Sequence, residues 1–211
     1  MKKSVYSLVL SDDVIAEVDR AAYRSGLSRS AMVNRILAEA VSYVTPEKRM
    51  REIFSQAEAL LTAGGVFQTL LQPSESMMSL RSSLAYKYNP NVRYSVELAP
   101  GTPTSGWLRV SLRSQNAALI LYLGQFFRLW TKIEQAYVGQ RDSETADGKY
   151  ARAFRLPETL SEREQGAVLA AYIRAMEQGL KAFFHSLEEP HRAAAAVERV
   201  YQDYLKHYPA I

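Results

Sequence analysis

The side chains that most often carry out chemistry in proteins are scarce in this chain of 211 residues. It has no cysteine, which excludes disulfides, thiolate metal sites and cysteine nucleophiles, and it has three histidines. His185 and His191 are separated by a predicted helix break at Pro190 and lack the i, i+4 spacing of a helical metal pair. Because the sequence contains no glycine-rich phosphate loop and no GxSxG or HExxH motif, we predict neither an enzyme nor a metal or cofactor site.

A polar run that could bind an anion, Ser28-Arg29-Ser30, lies at the start of a predicted helix. The N-terminus of a helix presents unpaired backbone N–H groups and the positive end of the helix dipole, and both favour a phosphate. Arg29 adds a positive charge at the same place. We interpret these residues as phosphate ligands. The alternative is that Ser28 only caps the helix and Arg29 is a solvated surface charge.

A short strand is predicted ahead of this helix, over residues 3–10, because large apolar residues alternate there with residues of other types. We assign its uniformly apolar face to the protein core. The two faces consist of Tyr6, Leu8 and Leu10 on the core side and of Lys3, Val5, Ser7 and Val9 on the other side.

Two short helices are predicted after the strand, separated by Gly26-Leu27-Ser28. Gly26 suits the left-handed position that follows the first helix, and Ser28 suits the cap of the second. One such unit cannot bury its own apolar faces. Two copies can do so by pairing their strands into an antiparallel ribbon in front of four helices, and a two-stranded ribbon fits the major groove of DNA.

The N-terminal residues resemble a ribbon-helix-helix domain of the Arc/MetJ/CopG type, through Leu8-Val9-Leu10-Ser11, the helix after it, and Gly26-Leu27-Ser28-Arg29-Ser30-Ala31-Met32-Val33. The resemblance covers residues 3–45, about a fifth of the chain. It implies a CopG-like homodimer whose paired strands read bases in the major groove. Carried over by position, the DNA-binding residues are Lys3, Val5, Ser7, Val9, Ser28, Arg29 and Ser30.

Val5 and Val9 depart from the pattern of that family, in which basic or polar residues usually face the bases. A valine can contact a thymine methyl group, but it offers no hydrogen bond to a base edge. Specificity would then depend on Lys3 and on the shape of the DNA. The same two valines also fit another hypothesis, in which the ribbon contacts protein and serves only for dimerisation.

Two domains are predicted, because Thr45-Pro46-Glu47 has the pattern of a helix start and no flexible linker precedes it. The first, residues 1–45, would bind DNA and dimerise, and the second, residues 46–211, would bind an effector or extend the oligomer. In the second domain, residues 78–114 predict a three-stranded antiparallel meander and residues 139–157 a long mobile loop. The predicted fold class is α+β: a dimeric N-terminal ribbon-helix-helix followed by a mostly helical domain with a small antiparallel three-stranded sheet.

A basic face is predicted on this meander, with Glu97 as its acidic residue. One interpretation is a secondary surface for DNA or another anion. The other, which is favoured because half-exposed antiparallel sheets are normally polar outside, is a solvated sheet face. Aromatic residues of the meander could form the walls of an effector pocket. The basic residues are Lys87, Arg93, Arg109 and Arg113, and the aromatic residues are Tyr86, Tyr88, Tyr94 and Trp107.

Composition and charge agree with a globular nucleic-acid-binding protein without identifying one. The chain is 47% hydrophobic and 23% charged, with a formal net charge of +4. The sequence shows no signal peptide, and its most apolar stretch is too short for a membrane span. Together with the absence of cysteine, these features predict a cytoplasmic protein.

The function predicted from these features is a homodimeric, sequence-specific DNA-binding regulator of transcription. Its partners would be double-stranded DNA, a second copy of the chain, and an unknown small-molecule or protein effector, with no membrane involved. Two alternatives stay open. One is an accessory DNA-binding protein of plasmid mobilisation or partition, and the other is a protein-interaction module that does not bind DNA.

Overall fold

A computed structural model of the chain describes residues 5–41, 43–71, 74–99 and 101–211, and it describes Pro103 by its backbone alone. These residues form an α+β structure of six helices and six strands. The helices are α1 Asp12–Arg24, α2 Arg29–Ala40, α3 Pro46–Thr62, α4 Ala117–Val138, α5 Glu162–His185 and α6 Pro190–His207. The strands are β1 Gln68–Thr69, β2 Met77–Ser83, β3 Asn91–Ala99, β4 Thr102–Leu112, β5 Ser143–Ala146 and β6 Lys149–Arg155.

All six strands belong to one antiparallel sheet with the strand order β1-β2-β3-β4-β6-β5. One face of the sheet packs against α3, α4, α5 and α6 in a single apolar core. Tyr94, Val110 and Tyr150 lie opposite one another on three neighbouring strands and form the centre of that packed face. The residues of the other face are exposed or half-buried except Ser79, so the sheet leaves one broad surface open to solvent.

Helices α1 and α2 form a separate and much smaller apolar cluster, in which Val18, Ala22 and Met32 are buried. Gly26 connects the two helices in the left-handed conformation, with φ +63°, which an L side chain adopts only with strain. Ser28 caps α2, because the N–H of Ala31 donates to its Oγ at 3.3 Å. The turn between the helices therefore matches its sequence prediction.

The predicted arrangement of the fold, an N-terminal ribbon-helix-helix followed by a three-stranded sheet, is wrong. Residues 5–10 belong to no strand, because a strand needs a neighbour for its N–H and C=O groups and the single chain supplies none there. Lys3 lies outside the described residues. The sheet has six strands and not three. The strand β1 adds one, and residues 139–157, predicted as a loop, contain the β5–β6 hairpin, which turns at Asp147 and Gly148 with positive φ.

Several predicted helix starts are confirmed by their hydrogen bonds. Thr45 caps α3 by accepting from the N–H of Lys48, with Pro46 as the first helical residue. Asn116 caps α4 by accepting from the N–H of Leu119 at 3.1 Å. Ser161 and Glu164 form a capping box at the start of α5. In the part of the chain that the structure describes, no helix combines the length and the apolar character needed to cross a membrane.

Candidate nucleic-acid interface

The predicted base-reading residues lie on a fully exposed segment. Val5 and Val9 are 99% and 102% exposed, and Ser7 is exposed as well. Leu8 and Leu10, on the predicted core side, are less exposed, at 60% and 40%. Tyr6, on the same predicted core side, is 84% exposed, so the assignment of that side to the core is wrong for the single chain.

Apolar residues of α1 and α2 are also exposed, although their helical spacing predicts an inward position. Val14 and Leu37 are 47% and 52% exposed, and Val41, directly after α2, is 73% exposed. These side chains lie outside the small cluster of Val18, Ala22 and Met32. The N-terminal unit, defined here as residues 5–41, therefore keeps a substantial apolar surface in contact with water.

The predicted phosphate ligands lie together at the start of α2, where Ser28, Arg29 and Ser30 are all exposed. Arg29, however, already has an anionic partner in Asp19 of α1. Its Nε and Nη2 donate to the two carboxylate oxygens of Asp19 at 2.6 and 2.5 Å. The hydrogen bond from Arg29 lowers the pKa of Asp19, so the carboxylate stays charged and the pair persists to a lower pH. A phosphate at this helix start would compete with Asp19 for the guanidinium.

The predicted basic residues of the meander are only partly brought together. Arg93 and Arg109 lie on the open face of the sheet, with Arg113 just beyond the end of β4. Lys87 lies in the turn between β2 and β3, where its ammonium is 5.2 Å from the ring centroid of Tyr88. Arg81 of β2, which the sequence reading left out, also lies on the open face and is paired in register with Arg93.

The aromatic residues proposed as walls of an effector pocket do not share a pocket. Tyr94 is fully buried on the packed face of the sheet, whereas Trp107 is half-buried on the open face. Tyr86 packs edge-on against Phe184 at a centroid distance of 5.6 Å, and Tyr88 is 89% exposed. Tyr94 and Trp107 lie on different strands whose register places them on opposite faces, and Tyr86 and Tyr88 lie in the turn between β2 and β3, which explains the division.

A groove between α2 and the start of α3 is lined in part by the N-terminal unit, including Ser28 and Ser30. Ala31 and Arg35 line it from α2, Lys48 and Arg51 from α3, and Glu75 from the segment before β2. Arg51 and Glu75 form an ion pair across it. Its lining carries both charges, so the groove does not single out the chemistry of an effector.

A buried polar cluster inside the core was not predicted from the sequence. Arg152 of β6 and Glu134 of α4 form an ion pair at 2.9 Å, and both side chains are 1% exposed. Tyr172 and Tyr150 donate to the same carboxylate at 2.8 and 3.3 Å, and Arg152 also donates to the carbonyl oxygen of Ile211. Burial raises the pKa of both tyrosines, and the charge of Glu134 adds to that effect.

This cluster joins elements rather than forming a reactive site. Its charges are paired, its hydroxyl groups have partners, and it is closed to solvent, so it offers neither a free base nor a place for a substrate. It ties β6, α4 and α5 to the last residue of the chain. The residue patterns could not reveal it, because Arg152 and Glu134 lie 18 positions apart on different elements.

Known proteins add nothing to this description, because the chain matches no known protein family, no curated protein and no solved structure. Any assignment of function therefore depends on the residues and geometry given above.

Proposed function

We propose that the protein is a homodimer that binds double-stranded DNA through its N-terminal unit and regulates transcription. The observation that carries the proposal is the combination at residues 5–41 of an exposed segment outside any strand or helix with a capped helix start that carries Arg29. The resemblance to ribbon-helix-helix proteins stated for these residues supports the same reading, although the comparisons do not identify that family.

Dimerisation is supported by the apolar surface of the N-terminal unit. Leu8, Val14 and Leu37 are 60%, 47% and 52% exposed, and few apolar residues of the unit are buried. Because a second copy presents the same surface, a two-fold interface would bury the apolar surface of each copy against that of the other. Burial of such side chains is favourable by about 25 cal/mol per Å² of apolar surface. We therefore expect the unit to be completed by its partner copy.

DNA binding is supported by the residues that the dimer contact would leave exposed. The two copies of residues 5–10 lie side by side in the major groove and present Val5, Ser7 and Val9 to the bases. The starts of the two α2 helices, with Ser28 and Arg29, contact phosphates on either side. Two valines among three base-facing positions favour contact with thymine methyl groups over hydrogen-bonded readout.

The test is binding of the full chain to fragmented duplex DNA, measured by gel shift over a series of salt concentrations. Wild type is expected to bind at low salt and to weaken as salt rises, since phosphate contacts release counterions. Val5→Glu places a carboxylate against DNA and should abolish the shift. Leu71→Glu is the matched control, because Leu71 is 98% exposed outside the N-terminal unit and receives the same charge.

Sedimentation equilibrium on the same samples separates dimerisation from DNA binding. A Leu8→Asp substitution is expected to give a monomer that no longer binds duplex. If wild type is a monomer at every concentration, or if Val5→Glu binds duplex as tightly as Leu71→Glu, the proposal is wrong.

The exposed valines also favour a second candidate function, a scaffold that dimerises and binds protein instead of DNA. Val5 and Val9 present apolar surface without a hydrogen-bonding group, which suits a protein partner better than a base edge. A stable dimer that fails to shift any duplex at low salt would support this second function over the first.

A further inference from the structure

The open face of the sheet has an excess of positive charge on its central strands. On β2, β3 and β4 it carries Arg81, Arg93 and Arg109, and among the described residues of that face of these three strands Glu97 is the only acidic group. Glu97 is already paired with Arg109, at 2.8 Å. A face of this kind attracts anions.

The three arginines lie on a line that crosses the strands. Arg109 of β4 is diagonal to Arg93 of β3, and Arg93 lies directly opposite Arg81 of β2. Such neighbours are about 7–8 Å apart on the diagonal and about 5 Å apart when directly opposite. Trp107 lies next to the end of this line, on the same strand as Arg109 and about 7 Å from it along β4. We call this set of four residues the arginine track.

The charges of Arg81 and Arg93 are not neutralised within the described part of the chain, where no carboxylate oxygen lies within 4.0 Å of either guanidinium. Their partners are neutral: Arg81 donates to Gln68 at 3.0 Å, and Arg93 donates to Ser95 and Ser79 at 3.1 and 3.3 Å. Like charges directly opposite in a sheet are destabilising. An anionic ligand removes that repulsion, and the neutral partners hold the guanidinium groups against the sheet.

The floor of the face is made of small side chains, so a flat group can approach the sheet. Ser95 and Ser111 lie beside the arginines, and Ala151 and Ala153 extend the floor onto β6. Trp107 is half-buried, which leaves part of its indole for a contact. Single-stranded nucleic acid matches these features. Its phosphates suit the arginines, and its planar bases can stack on aromatic and guanidinium planes.

We propose that the arginine track binds single-stranded nucleic acid. Arg81, Arg93 and Arg109 contact its phosphates, and Trp107 stacks on one base. This site is independent of the duplex contact proposed for residues 5–41, which lies on a different part of the chain. A duplex fits this face less well, because its bases are stacked inside and cannot reach Trp107.

The experiment measures binding of the full chain to an oligothymidylate of about 15 nucleotides, a length in the range that such sites occupy. Fluorescence is a direct readout, because the chain has two tryptophans and Trp130 is fully buried. We expect the oligonucleotide to quench the emission of Trp107. Binding should fall with salt at a log–log slope of about −2, as three phosphate contacts to a single strand require.

The variant Arg81→Gln/Arg93→Gln is expected to weaken binding at least tenfold at low salt and to reduce the salt slope by more than half. Its control, Arg163→Gln/Arg199→Gln, removes the same charge from exposed positions on α5 and α6 and should change affinity less than twofold. Trp107→Leu should lower affinity about tenfold, the effect of losing one stacked base, with circular dichroism confirming the fold.

Each contrary result has a definite meaning. An equal loss in the two double variants, or an absence of quenching, overturns the proposal. Displacement of the oligothymidylate by polyglutamate of matched charge would also overturn it, because the face would then be a site for acidic protein. If Arg81→Gln/Arg93→Gln weakens duplex binding as much as oligothymidylate binding, the face is a duplex surface and the proposal is wrong. Val5→Glu should leave oligothymidylate binding unchanged, so failure of the duplex proposal and failure of this one are separately visible.

Discussion

Arg29 is the residue whose surroundings most affect the proposed duplex contact. The sequence places it at a helix start that favours phosphate, yet the structure gives it a carboxylate partner, with both N–H···O contacts to Asp19 at 2.6 Å or less. Both residues are solvent-exposed, so the pair can be broken by a stronger anion. Asp19 would therefore compete with a phosphate for Arg29 without preventing the phosphate from binding.

Removing this competitor should strengthen duplex binding. Asp19→Asn frees Arg29 for a phosphate, so we expect higher affinity at low salt and a log–log salt slope that is steeper by about 0.9, the value for one added contact. Glu17→Gln is the control, because it makes the same charge change on the same helix and releases Arg20 instead. Gel shifts over a salt series measure both. Equal effects of the two variants would show that only net charge matters.

At the scale of elements, α5 is the helix around which the core is assembled. It approaches its neighbours closely at two glycines. A Cβ at Gly166 would lie 2.6 Å from the carbonyl oxygen of Ile53 in α3, and one at Gly179 would lie 2.8 Å from the ring of Trp130 in α4. These positions keep the helices near enough to bury the polar cluster of Glu134 and Arg152 between α4, α5 and β6.

Adding a single methyl group at this contact should destabilise the fold. Gly179→Ala is expected to lower the free energy of unfolding by about 1–2 kcal/mol, because overpacking costs more than the gain in helix propensity. Gly64→Ala is the control, since nothing lies within 4 Å of its added Cβ. Urea denaturation measures both. A Gly179→Ala variant as stable as wild type would mean that α4 and α5 can separate at no cost.

At the scale of the whole molecule, two carboxylates give the stability opposite dependences on pH. Burial raises the pKa of Glu177, and Lys181, 2.5 Å away, offsets only part of the shift. The folded state therefore binds the proton of Glu177 more tightly than the unfolded state does. The stability that this proton contributes is lost as pH rises above the ordinary carboxyl pKa of 4.5. The hydrogen bonds of Ser161 lower the pKa of Glu164. The stability that the Glu164 carboxylate contributes is therefore present above pH 4.5 and is lost as pH falls.

These signs can be tested with two substitutions. Relative to wild type, Glu177→Gln should become progressively more stable as pH rises from 4.5, because it has no buried charge to form. Glu164→Gln should be less stable than wild type at neutral pH and should approach it in acid. Urea denaturation from acid to neutral pH gives both curves. Parallel curves for Glu177→Gln and wild type would show that Glu177 does not titrate differently on folding.

The sequence predicted those parts of the fold that depend on near neighbours. Thr45, Asn116 and Ser161 each cap a helix through an N–H three residues later, so a short stretch of sequence contains the whole interaction. The central three strands were visible for the same reason, because alternation in each one marks its buried side.

What the sequence did not reveal depends on residues far apart. The strand β6 was predicted as part of a loop, since Arg152 stands at a buried position that normally takes an apolar residue. Only Glu134, on another element, makes that position possible. The pairing of Arg29 with Asp19 is equally invisible, and the place of Arg81 beside Arg93 depends on the register of two strands. Candidate site residues could thus be named individually, but their partners could not.

The two outer strands of the sheet have a consequence for how copies of this chain can assemble. The edge strand β1 has two residues and the edge strand β5 has four, so each margin exposes very little unpaired main chain. Another sheet cannot extend this one for more than a few hydrogen bonds. We therefore expect edge-to-edge addition at these two strands to be disfavoured.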